Sequence, residues 1–167
     1  MSIPAHAFGE AYPKDLPQGS VFKFRGAWSL RVAGGHDHSF QGLIFLEGDH
    51  VGRLVKIGPG MPRCIAIIEP FQWFPAGAEG AAPGHIELQT ATLTVTPNGP
   101  VIIGGDIDSD RFDTEYVAFR SDGTCDADYD RYGAGMRFAE WTGELQHSSR
   151  PFESLGRLFA INRSAAG

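Results

Sequence analysis

From Ser20 onward, apolar and polar positions alternate along most of the chain with a period of two, the spacing of half-buried β-strands. The stretch SVFKFRGAWSLRV places Phe22, Phe24, Gly26, Trp28, Leu30 and Val32 at alternate positions, with Lys23, Arg25, Ser29 and Arg31 among those between them. It predicts one long strand, bent or closely approached at Gly26. FQGLIFLE and HVGRLVKI follow, separated by Gly48-Asp49, and read as a hairpin. RCIAIIEPFQWF reads as a long apolar strand disturbed at Pro70, which donates no ladder hydrogen bond and marks a bulge or an edge. HIELQTATLTVT is a Thr-rich strand ended by Pro97-Asn98-Gly99-Pro100, and VIIGG is a short apolar one. RFDTEYVAFR is expected to pair across Ser121-Asp122-Gly123 with part of the acidic stretch Asp126 to Tyr132 or with MRFAEWTGEL. A closing strand is expected near Arg157 to Asn162, and no segment carries a helical stripe.

About eight or nine strands at hairpin spacing predict an all-β fold, a barrel or a sandwich. Long bent strands with interior glycines and an aromatic face favour a single antiparallel β-barrel, which also removes exposed edges. Residues 1–19 hold three prolines and little periodicity, and are expected to form an N-terminal arm over a barrel domain of residues 20–167. PAGAEGAAPG, Pro75 to Gly84, reads as a small-residue loop.

Composition narrows the function classes. The 167 residues are 42% hydrophobic and 20% charged, with a net charge of −6, the mark of a globular chain. No basic run exists to neutralise phosphates, which argues against nucleic acid. No apolar stretch approaches the roughly 20 residues of a membrane span. The N-terminus lacks the basic start and apolar core of a signal peptide, so a cytoplasmic location is expected. Cys64 and Cys125 are too few and too far apart for a metal knuckle and are expected as thiols.

Arg25-Gly26-Ala27-Trp28 resembles the Gly-x-Trp motif on the first strand of the calycins, the lipocalin-like barrels. The resemblance covers these four residues and the strand count. It implies a barrel closed at one end by Trp28, with a basic residue of the last strand, Arg163 or Arg157, packed over it and a ligand cavity at the other end. The other reading is a core Trp beside a bend glycine.

Candidate chemistry is sparse. On an unbroken strand Glu69 shares a face with Ile65, Ile67, Phe71 and Trp73, where desolvation would suit it to acid–base work. If Pro70 turns the strand, Glu69 goes to water or to an Arg partner. His85, Glu87 and Gln89 share a strand face and can join Glu69 at a cavity, with His85 as a second acid–base group. Trp28, Phe71, Trp73, Tyr116 and Trp141 would supply apolar and aromatic walls. His36 and His38, with His85, form an alternative metal set that resembles the cupins, although the Glu that cupins place shortly after the second His is missing. Two acidic copies, Asp106, Asp108, Asp110 and Asp126, Asp128, Asp130, alternate as calcium ligands can, but lack the Gly and Glu of an EF-hand loop.

The expected function is binding of a small apolar or aromatic molecule in the barrel cavity, without a cofactor, with isomerisation or cyclisation of that molecule and a homodimer as further expectations. A cupin-like metal enzyme and a non-enzymatic protein with an acidic, calcium- or partner-binding face are the alternatives.

Overall fold

The computed structural model describes residues 3–34, 40–77, 90–106, 116–126 and 136–163. Among these residues thirteen strands run in chain order: β1 (Phe8–Ala11), β2 (Val21–Phe24), β3 (Ala27–Ala33), β4 (Gln41–Phe45), β5 (Arg53–Lys56), β6 (Cys64–Ile67), β7 (Phe71–Gly77), β8 (Leu93–Thr96), β9 (Gly99–Asp106), β10 (Tyr116–Arg120), β11 (Met136–Phe138), β12 (Glu140–His147) and β13 (Gly156–Asn162). The helical pieces among the described residues are two short 3-10 turns, Ala5–Ala7 and Pro13–Asp15. The protein is all-β, as the alternation predicts.

The strands do not close into a single barrel. A ten-stranded sheet runs β1-β6-β2-β3-β4-β5-β9-β8-β11, with β10 added on β9, and a separate three-stranded sheet runs β13-β12-β7. Nor is every pairing antiparallel, because β5 lies parallel to β9 through Arg53↔Gly105 and Leu54↔Asp106. The segment read as an arm contributes β1, which pairs with β6 through Phe8↔Ile67 to Ala11↔Cys64.

Three sequence readings change for local reasons. SVFKFRGAWSLRV is a hairpin, not one strand. Arg25 (φ 50°) and Gly26 (φ 79°) form a two-residue turn between Phe24 and Ala27, the positive-φ pair of a type I′ reversal. RCIAIIEPFQWF is two strands in different sheets, divided at a cis Glu69–Pro70 bond. VIIGG is the middle of the long strand β9, which carries β10 along one side and β8 and then β5 along the other. The strand YVAFR pairs with β9 and also, as expected, across Ser121-Asp122-Gly123 with the residues after the turn, through Phe119↔Cys125 and Asp126 N–H to Ala118 O (2.8 Å), while MRFAEWTGEL divides between β11 and β12.

The two sheets face each other across the main core. Val21, Trp28, Leu30, Val32, Ile44, Leu93, Ile102 and Phe119 of the large sheet meet Trp73, Trp141, Phe159 and Ile161 of the small one. The opposite face of the large sheet is covered as well. There Phe22, Phe24, Leu43, Phe45, Cys64 and Ala66 pack beneath Leu16, Ile57 and Met61. Burial on both faces explains why β3 and β4 are almost continuously buried along their length.

Candidate functional site

The second apolar cluster opens to solvent between two hairpin tips, and there the structure has a cavity of about 700 Å³. Volumes of roughly 300–1,000 Å³ are typical of small-molecule sites. Phe24 and Phe45, both buried, form its floor with Ala27, Val55 and Met61. Arg25 and Gly26 of the β2–β3 turn border it on one side, and Glu47, Gly48, Asp49, His50 and Arg53 of the β4–β5 connection on the other.

The two tips are tied together. Trp28 N–H donates to Glu47 Oε1 at 3.0 Å, and Lys23 Nζ lies 3.6 Å from the same oxygen. Lys23 also sits 5.4 Å from the centre of the Trp28 ring. The β4–β5 connection is folded on itself by Val51 N–H to Gly48 O (3.2 Å), Gly52 N–H to Phe45 O (2.7 Å) and Arg53 N–H to His50 O (2.9 Å). Gly48 and Gly52 take positive φ in this bend (81° and 83°), and a Cβ at Gly52 would collide with Thr90.

The rim side chains are also positioned. Arg53 Nη1 lies 2.9 Å from His50 Nδ1. A guanidinium only donates, so Nδ1 accepts and the neutral ring carries its proton on Nε2. Arg25 lies 5.3 Å over the Phe24 ring, and His50 stands 6.0 Å from Phe45, centroid to centroid. The arrangement combines an apolar, aromatic floor with convergent polar groups, which is what holding a small molecule requires.

Among the described residues, none of those expected to line a cavity borders this one. Trp28, Trp73 and Trp141 share the packed core between the sheets. Two of their indole N–H groups bond backbone carbonyls: Trp73 to Gly19 at 3.1 Å and Trp141 to Ala91 at 2.8 Å. Phe71 packs with Ala7 and Leu145, edge-on to His6 and His147. Tyr116 packs with Val101, Ile103 and Ala118 of β9 and β10. Glu69 is exposed on the connection between the sheets and does not sit among Ile65, Ile67, Phe71 and Trp73, because the chain turns at Pro70 and leaves one sheet for the other. His36, His38, His85 and Glu87 lie outside the described residues, as do Asp108, Asp110, Asp128 and Asp130. Asp126 is buried, 3.5 Å from Arg120. Among the described residues no group of three His, Cys, Asp or Glu side chains is placed to hold a metal ion. Among them, too, no helix is long and apolar enough to cross a membrane.

The cavity residues were missed because they come from two reversals. The signal in the sequence was Arg25-Gly26, since a Gly at the second position of a two-residue turn is a hairpin mark.

No protein-family model, curated protein or solved structure matches the chain. The calycin resemblance thus remains one of four residues, and their setting differs from what it implies. Gly26 is the second residue of a turn, Trp28 lies in the core between two open sheets, and the cation over Trp28 is Lys23 of the neighbouring strand. Arg157, expected as one candidate for that place, lies 4.0 Å from Glu144.

Proposed function

We propose that this all-β protein binds a small molecule with a substantial apolar surface, and that it does so between the β2–β3 and β4–β5 hairpin tips. The observation that carries the reading is the cavity of about 700 Å³ set on a floor of Phe24, Phe45, Val55 and Met61. A ligand's own apolar surface, removed from water against this floor, supplies the burial energy of binding, at roughly 25 cal/mol per Å². The polar groups around them orient the ligand. The tie through Glu47 holds the two tips in place before a ligand arrives, which lowers the ordering cost of binding. Binding is the part of the expected function that this geometry favours. The isomerisation expected of Glu69 draws no support from its position, since Glu69 does not border the cavity.

The test is a fluorescence titration with N-phenyl-1-naphthylamine, an uncharged aromatic probe that brightens in apolar surroundings. Wild type should bind it saturably. Met61→Asp, which sets a charge on the floor from a half-buried loop position, should weaken binding by about tenfold or more. Equal affinity in wild type and variant, or no saturable binding, would overturn the reading.

A further inference from the structure

We infer that the ligand of this cavity is an organic anion, its apolar body on the Phe24–Phe45 floor and its acidic head between Arg25 and Arg53. The inference rests on reading the cavity as a ligand site, and its first support is the charge at the rim. Among the described residues, neither Arg25 nor Arg53 meets a carboxylate within ion-pair distance: Arg25 lies over Phe24, and Arg53 is bonded to the uncharged His50. Of the two rim carboxylates, Glu47 is already engaged by Lys23 and the Trp28 N–H, which leaves Asp49. With Glu47 offset by Lys23, which stands just outside the cavity, Arg25 and Arg53 face Asp49 alone, an excess of one positive charge in a chain whose net charge is −6.

The second support is backbone conformation. Arg25 occupies the first central position of the β2–β3 turn at φ 50°. That position favours Asn, Asp or Gly, and an L-residue with a long side chain is strained there. Strain of this kind concentrates at ligand-binding positions. At Arg25 it sets a guanidinium on the rim, where an unstrained turn residue would carry no cation.

The third is orientation. The bond from Arg53 to His50 Nδ1 uses one of five guanidinium N–H donors and fixes the side chain beside the cavity. The remaining donors suit the paired oxygens of a carboxylate, sulfonate or phosphate, which a planar guanidinium engages two at a time.

The probes that test this differ only in the acidic group: 8-anilinonaphthalene-1-sulfonate and its uncharged parent N-phenyl-1-naphthylamine. Wild type should bind the sulfonate about tenfold more tightly than the parent, the size expected of a charge-assisted contact. Arg53→Gln and Arg25→Asn should each remove most of that preference, read as the ratio of the two probes' affinities within each variant. Arg25→Asn also places a favoured residue in the turn, so its folding is secure. Equal affinity for both probes, or a sulfonate preference that survives both substitutions, would overturn the inference and leave the binding site standing. Loss of saturable binding of both probes, or binding of both that ignores Met61→Asp, would remove the site itself.

Discussion

Trp141 is the clearest place to test how the two sheets are held together. It lies on β12 of the small sheet, is 1% exposed, and donates its indole N–H to the Ala91 carbonyl just ahead of β8 in the large sheet. Its ring stands edge-on to Phe159 at 5.7 Å. Trp141→Ala removes the ring from a packed core and should cost about 3–5 kcal/mol. Trp141→Phe keeps an aromatic ring against Phe159 but orphans the buried Ala91 carbonyl, which should cost about 1–3 kcal/mol. Against a typical total of about 5–15 kcal/mol the larger loss is a sizeable fraction of the whole. Equilibrium urea unfolding measures both. With a slope of about 2 kcal/mol per M, the midpoint should fall by about 2 M for the alanine variant and by about 1 M for phenylalanine, with the slope unchanged. An alanine variant within about 1 kcal/mol of wild type would show that Trp141 does not join the sheets. A phenylalanine variant within about 0.5 kcal/mol would refute the role of the hydrogen bond.

Three further outcomes are expected. Gly143 faces Phe159 across the β12–β13 pair, and a methyl there would overlap the ring, so Gly143→Ala should destabilise by about 1–3 kcal/mol in the same unfolding assay. Burial raises the Cys64 thiol above its ordinary value, so the folded protein holds that proton more tightly than the unfolded chain; its contribution to stability is complete below about pH 8.5 and is lost as pH rises towards the folded value, and Cys64→Ala should flatten that part of the stability–pH curve. Glu69 is exposed, so Glu69→Gln should change the unfolding free energy by less than about 0.5 kcal/mol, and a larger change would place its carboxylate in a buried contact.

The sequence by itself determined the strand class and several reversals. Alternation without any helical stripe yields strands, and Gly48-Asp49 and Ser121-Asp122-Gly123 sit at observed turns because their residues suit turn backbone. The closing strand near Arg157 to Asn162 is present as β13. What the sequence did not decide was which strand meets which. A two-residue turn spans one full period of the alternation, so the pattern from Phe22 to Val32 runs through Arg25-Gly26 without a break. After the reversal, however, paired residues have opposite parity: Phe22 faces Ser29 and Val21 faces Leu30. Phe22 and Phe24 therefore go to one face of the sheet and Trp28, Leu30 and Val32 to the other, which a single strand would have placed together. The same limit applies at Glu69-Pro70, where an apolar run on both sides gives no local sign that β6 and β7 join different sheets. The cavity depends on both kinds of decision, because Phe24 and Phe45 come together through the pairing of β2 and β4 on β3, and only that pairing sets Arg25 and Arg53 on one rim. Strand propensity is a local property of the backbone and its nearest side chains. Pairing partners and covered faces are chosen by packing between distant segments, and so they were settled only in the tertiary structure.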